Sequence, residues 1–420
     1  MALPLELPTL QNWSCHNCGG CCRQHAIEIT AEEKARIESQ QWDAADSPLR
    51  GQPLFVRSGW PWNRTVRLAH QADGGCVFLD EQGLCRIHGK FGEPAKPLAC
   101  RVYPYAFHPA GKKIVLSLRF SCPSVVSNRG RPVRDQQRDL KELERLIVPE
   151  NASSIPPPPV SPGQRISWPD LLTTVSALDR LMAEPEPVLR RLLRLELVAR
   201  LLGQAKFDKI SGARVTELMD LLIDASGLEV GPDLNTLAAP SSAALTMFRM
   251  LCAQLVRKDT AAISSSGWWH RVWLVRSAIR FARGRGQTPV LQAGLKEVSF
   301  ADLADSYGPI PPDAEELLTR YVRVKLQGLH FCGRAYYDVP LVEGLQALLL
   351  AVAVILWTAK WHARSQDRRR FIPEDIAWAI AAVDHNQGYH PALGQRTQRA
   401  RTRLLAKHEE IPKLLAWSGR

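Results

Sequence analysis

Eight of the ten cysteines fall between positions 15 and 122, at spacings that suit metal ligands. The run Cys15-His16-Asn17-Cys18-Gly19-Gly20-Cys21-Cys22 sets thiols two residues apart, so the backbone can wrap one ion or cluster. Gly19 and Gly20 supply the positive φ that such a loop needs. A second group follows as Cys76, Cys85-Arg86-Ile87-His88, Cys100-Arg101-Val102-Tyr103-Pro104-Tyr105 and Cys122-Pro123. The candidate ligands are therefore Cys15, Cys18, Cys21, Cys22, Cys76, Cys85, His88, Cys100 and Cys122, one more than two four-coordinate sites require.

Zinc takes four thiolate or imidazole ligands, and a [4Fe-4S] cluster takes four cysteines. Cys15, Cys18 and Cys21 have the Cys-x-x-Cys-x-x-Cys spacing of iron-sulfur sites, and Cys122 before Pro123 fits the fourth position, which favours an iron-sulfur cluster. A zinc-stapled module without chemistry is the alternative, and the pairing of ligands into sites stays open. His88 reads equally as a ligand or as a hydrogen-bond donor beside one. His16 and His25 read as surface histidines. Cys252 and Cys332 read as small buried hydrophobes. Arg101 is placed to neutralise a thiolate cluster, and Tyr103, Tyr105 and Phe107 to shield it from water.

The elements that must position these residues differ sharply along the chain. Up to about residue 130 the sequence is loop-rich, with β-prone pieces at Cys76–Leu79 and Lys113–Phe120 and turn signals at Asp73-Gly74-Gly75 and Pro109-Ala110-Gly111. Thr30-Ala31-Glu32-Glu33 has capping-box spacing and predicts a helix to about Gln41. Prolines crowd the stretch 147–169 and favour extended backbone. Helical periodicity follows over 170–183, 188–206, 214–225, 243–256, 268–282, 313–327, 341–363 and 373–383. The fold class expected is α+β: a small cysteine-cluster metal-binding module over 1–146, a proline-rich linker over 147–169, and an all-α helical domain over 170–420. No fixed-period repeat marks a solenoid.

Composition narrows the classes. At 420 residues, 45% hydrophobic and 23% charged, the chain can bury a large core without help from metal. A net charge of +12 attracts anionic partners, but Arg368-Arg369-Arg370 and the set Arg396, Arg399, Arg401 and Arg403 read first as solvated faces, so nucleic acid is not the leading partner, though the charge leaves it open. Met1–Leu10 lacks the pattern of a secretory signal, and the expected location is cytoplasmic. The apolar run Ala347–Ala359 is shorter than the roughly 20 residues a membrane span needs and predicts a buried core helix.

The cysteine segments resemble the CxxCxxCC (YkgJ-type) family of zinc- or iron-chelating proteins, which includes flagellin lysine N-methylases. The resemblance is carried by Cys15–Cys22, Gly75–Asp80, Gly83–His88, Lys96–Tyr105 and Cys122-Pro123, about 110 residues in all. Tyrosine also occurs in the family where His88 stands here. The resemblance implies a metal or cluster site, and it extends to methyl transfer from S-adenosylmethionine to a lysine-bearing protein. The sequence shows no strand, glycine-rich turn and helix of the G-x-G-x-x-G type, and Gly284-Arg285-Gly286 reads as a helix end. The Cys-x₃-Cys-x₂-Cys spacing of radical S-adenosylmethionine enzymes is also missing. A donor pocket is then expected elsewhere, between the cysteine module and the helices.

Overall fold

The structure is a computed structural model describing residues 3–42, 44, 47–58, 64–233, 236–258 and 268–420. In chain order its first part contains β1 (Leu5–Glu6), α1 (Gly20–Gln24), β2 (Glu28–Ile29), α2 (Ala31–Glu38), β3 (Phe55–Ser58), β4 (Thr65–Leu68), α3 (Arg86–Phe91), α4 (Leu98–Val102), β5 (Tyr105–Pro109), β6 (Ile114–Leu118), α5 (Pro123–Val126) and α6 (Gln137–Ile147). The remainder is helical: α7 (Trp168–Met182), α8 (Val188–Gln204), α9 (Ala213–Glu229), α10 (Ser242–Val256), α11 (Trp268–Arg283), α12 (Pro312–Gln327), α13 (Leu341–Ser365), α14 (Pro373–Asn386), α15 (Arg396–Lys407) and α16 (Glu410–Ser418). The fold is α+β, with its strands confined to the cysteine-bearing part.

The strands form two three-stranded sheets. In one, β6 lies between parallel β1 and antiparallel β5; in the other, β4 lies between antiparallel β2 and β3. Gly111, at φ 71°, turns β5 into β6. The Thr30 capping box is present, with Glu33 N–H donating to Thr30 Oγ1 at 3.2 Å and Thr30 N–H donating to Glu33 Oε2 at 2.9 Å. That reciprocal pair satisfies two donors that the first turn of α2 would otherwise leave open.

The piece 76–79 is not a strand. It makes only single bridges, His70 to Cys76 and Leu79 to Cys85. Gln71 Nε2 instead reaches the carbonyls of Cys76, Val77 and Leu79 at 3.2, 3.3 and 2.8 Å, so a side chain takes the place of a neighbouring strand. The segment is thereby fixed as a loop with Val77, Phe78 and Leu79 buried beneath it.

The apolar core falls into two clusters. The small one gathers Ile29, Ile37, Trp42, Leu49, Leu68, Phe78 and Ile87. The large one runs from β1, β5 and β6 through every helical layer, so the first sheet packs on the helices rather than on the second sheet. Within the proline-rich stretch Val160 is fully buried, and the Pro159 and Val160 carbonyls accept from the N–H groups of Leu341 and Val342.

Helix α13 stands at the centre, with α8, α10, α14, α15 and α16 packed around it. By length and composition it is the one described helix that could cross a membrane, yet 94% of its most apolar window is buried, as expected of a core helix. Its polar ends are held in place. Glu343 takes Arg399 at 2.6 Å and Arg403 at 2.7 Å, and Lys360 donates to the carbonyls of Asp305 and Trp417. At Gly344 an added Cβ would meet the Phe331 carbonyl oxygen at 1.9 Å. Gly344→Ala is therefore expected to destabilise the chain by about 1–3 kcal/mol despite alanine's better helix propensity, as read by denaturant unfolding.

The arginine blocks are not simply solvated faces. Arg368 grips buried Asp375 through both its amino groups at 2.6 and 2.8 Å, Arg369 reaches Asp302 and Asp305, and Arg399 and Arg403 lock onto Glu343. Four of these seven arginines are thus held by carboxylates of the helical part.

Candidate metal centre and adjoining cavity

Five thiols gather around α1. Gly19, at φ 64°, opens this short helix, as its place in the cysteine run suggests, whereas Gly20 is already helical. Cys76 N–H donates to the Cys22 carbonyl at 2.9 Å, which ties the first cysteine run to the 70–79 loop. Cys85 caps α3 and Cys100 lies within α4. Cys22 feels the charges of Cys21, Cys76 and Cys100, and Cys100 feels those of Cys76, Cys85 and Cys21. Cys21 and Cys22 sulfurs stand 3.9 Å apart.

These surroundings make the thiols difficult to ionise together. Burial pushes Cys76 up to about 12 and raises Cys100 as well, while the hydrogen bond from Cys22 pulls Cys21 down to about 6 at the expense of its neighbour. The protein cation acting on Cys21 and Cys100 is Lys96. A buried group of thiolates with so little compensating charge fits a donor set for a cation, because metal coordination stabilises the deprotonated form. In their present rotamers no three His, Cys, Asp or Glu side chains among the described residues close on one point.

Cys15, Cys18 and Cys122 form a neighbouring group. Cys122 opens α5 with Pro123 next to it and feels the charge of Cys18, whose sulfur approaches Gly20 together with the Pro123 ring. Tyr103 feels both Cys122 and Cys21, so its ring lies between the two thiol groups, whereas Tyr105 feels Cys122 and Cys15, both of the second. The Cys122 turn is anchored by the helical body. Ser121 N–H donates to Asp384 at 3.0 Å, and Arg320 donates to the carbonyls of Val125 and Val126 at 2.9 and 2.6 Å.

Other expected residues lie elsewhere. His88 is exposed on α3 beside buried Ile87. Arg101 is engaged by Glu93 at 2.9 Å, so Lys96 takes the neutralising place foreseen for it. Cys252 and Cys332 are buried core residues away from both groups. His16 is exposed and meets Ser124 at 3.0 Å. His25 is not a surface histidine: its ring stacks on His385 at 4.9 Å and leans on Tyr103. Nothing in the sequence pairs positions 25 and 385, which meet only because α14 packs against the cysteine part.

These two histidines open onto a cavity of about 1360 Å³ between the cysteine part and the helices. Gln24, His25 and Arg67 line one side, while Glu316, Trp378 and His385 line the other. Burial, with Arg119 and Lys258 nearby, holds His25 down at about 2 and His385 at about 3. In the unfolded chain both take up protons near 6.5, whereas the folded pair stays neutral, so the pair's contribution to folding stability is flat above that pH and falls as pH drops toward 3. Urea unfolding at pH 7.5 and 5.5, in one metal state, should show a smaller acid loss for the double variant His25→Gln/His385→Gln than for the parent.

Residues 14–123 match the CxxCxxCC family, described as "Putative zinc- or iron-chelating domain". This segment is therefore similar to CxxCxxCC domains. The domain thus contains both thiol groups, from Cys15 to Cys122. The chain also resembles two proteins named "Lysine-N-methylase", from Salmonella typhimurium and Salmonella choleraesuis, each 26% identical over 145 residues, 34% of this chain and 33% of the relative. "Flagellar biosynthetic protein FliU" of Salmonella muenchen is 37% identical over 54 residues, 13% of this chain and 32% of that protein. The matches span about a third of these relatives' length. No solved structure matches.

Proposed function

We propose that the CxxCxxCC domain holds an iron-sulfur cluster and that the chain transfers methyl groups from S-adenosylmethionine to lysine side chains of a partner protein. The observation that carries the first part is the gathering of Cys21, Cys22, Cys76, Cys85 and Cys100, enough thiols for a four-cysteine set with one in reserve. The set favoured by spacing, Cys15, Cys18, Cys21 and Cys122, is divided, with Cys21 in this group and Cys15, Cys18 and Cys122 in the adjoining one, so the proposal rests on the gathered thiols and not on that spacing. Bound there, a cluster would supply one-electron redox capacity beside the cavity. We read the cysteine module as 1–146, carried on the helical domain 170–420 through 147–169, in a reducing cytoplasm that keeps thiols free.

Methyl transfer rests on the distant resemblance to lysine N-methylases and on the cavity, which is ample for a nucleoside-sized donor. The neutral lysine nitrogen would attack the sulfonium methyl; the carbon–sulfur electron pair passes to sulfur, which leaves as a neutral thioether, and the nitrogen sheds its proton. Asp313, Glu316 and Glu374 line the cavity and provide carboxylates to receive that proton. Calorimetric titration of the full chain with S-adenosylmethionine should give saturable binding. No heat at millimolar donor would remove the methylation reading and leave a metal-bearing protein whose helical domain serves a partner.

A further inference from the structure

The floor of the cavity is built for an anion. Lys258 lines it, and burial holds the lysine down at about 8; among the described residues its ammonium has neither a carboxylate nor a hydrogen-bond partner. Arg119 lies beneath, its guanidinium 3.5 Å from the centre of the Tyr389 ring and donating to the His385 carbonyl at 3.1 Å. His25 Nε2, His385 Nδ1, Gln24 Oε1, Arg67 Nε and Gln292 Nε2 are all buried without a partner among the described residues, and all five residues line this cavity. Buried polar atoms left unpaired are costly; the nitrogens among these, on His25, His385, Arg67 and Gln292, can donate to an anion, whereas Gln24 Oε1 accepts and calls for a donor.

The charges are arranged asymmetrically. Every ionic influence on His25 is cationic or imidazole: Arg119, His385 and Lys258. Asp313, Glu316 and Glu374 line the helical side of the cavity, the side that also carries His385 and Arg320. We propose that the cavity is a binding site for a small molecule bearing an acid group, a carboxylate or a phosphate, held by Lys258 and by ring N–H groups of His25 and His385. An acid group relieves the uncompensated positive field, and a cationic group on the same molecule would meet the carboxylates of the helical side. The site shares the cavity assigned above to the methyl donor, whose amino-acid end carries such a carboxylate, but it does not depend on methyl transfer.

The test is thermal unfolding of the full chain with inorganic phosphate or with L-methionine, against sodium chloride at equal ionic strength. At least one probe should raise the unfolding midpoint: phosphate if the acid group is a phosphate, methionine if it is a carboxylate. Lys258→Gln should weaken that response about tenfold or more, the size expected for a lost charged hydrogen bond, and Lys258→Arg should recover most of it. Lys112→Gln, an exposed lysine on the β5–β6 turn, should leave it unchanged. Where Lys258→Gln lowers the midpoint without probe, His385→Gln gives the same comparison from the other wall. No response to either probe, or a response equal in Lys258→Gln, His385→Gln and parent, overturns the site. Phosphate binding without S-adenosylmethionine binding would keep the site and remove the methyl-donor reading; donor binding that ignores both substitutions would do the reverse.

Discussion

Cys85→Ser or Cys100→Ser should lower the bound metal and loosen residues 22–95, and the double variant Cys85→Ser/Cys100→Ser, which leaves three thiols in the group, should strip it to background, while Cys252→Ser and Cys332→Ser retain full metal content. The first two lie in the five-thiol group and lose a charged ligand; the last two sit in the apolar core, where a hydroxyl costs stability but touches no ligand. The structural penalty of metal loss should be local. Among the described residues the small core cluster around Ile37, Trp42 and Phe78 contains 11 buried ones, too few to offset the chain entropy of the segment around it without a staple. The first sheet belongs to the large cluster and should persist. Limited proteolysis after chelation should therefore cut within 22–95 and spare the helices. Equal metal content in all five variants would sink the ligand assignment.

The second large effect is expected at Lys325 and Asp384, which meet at 2.6 Å with 1% and 0% side-chain exposure. Lys325 also reaches the Leu118 carbonyl at 3.3 Å, and Asp384 accepts from Ser121 N–H at 3.0 Å, so the pair bolts β6 and the Cys122 turn onto α12 and α14. Removing one partner leaves the other charge buried and uncompensated, a loss of about 3–5 kcal/mol. Asp384→Asn and Lys325→Met should each show a loss of that order in denaturant unfolding. The double variant Lys325→Met/Asp384→Leu should lose less than the two single losses added together, because no orphan charge remains. Strict additivity would mean that the two side chains are not coupled.

What could be read from the sequence followed from local rules. The Thr30 capping box, the turn at Gly111 and the helical periodicity from α7 to α14 depend on residues a few positions apart, and the structure places them as expected. α13 follows the expected 341–363 to within two residues, its polar ends beyond the apolar run held by the partners of Glu343 and Lys360. α15 was missed since few of its residues are apolar and its arginines dock on Glu343, a partner 56 residues away from Arg399. α6 was missed as well: its N-cap, Gln136, makes no side-chain cap and only Leu140 and Glu144 are buried. The strand expected at 76–79 lost its place to the Gln71 amide, which no period-two pattern can register.

The candidate site was legible in kind rather than in arrangement. Clustered cysteines announce metal chemistry through spacing alone, yet the gathering of Cys76, Cys85 and Cys100 with Cys21 and Cys22 depends on how three loops fold together. The cavity was anticipated between cysteine part and helices, but His25, Lys258 and His385 carry no local signal. Only long-range packing brings them together.

The central claim is that the cysteine domain holds an iron-sulfur cluster. Its most direct test is iron, zinc and acid-labile sulfide content, with an absorption spectrum, on the full chain purified without oxygen. Iron with matching sulfide and a broad thiolate-to-iron band near roughly 400 nm is the expected result. A colourless protein with about one or two zinc ions and no sulfide would contradict it and leave the domain as a zinc staple.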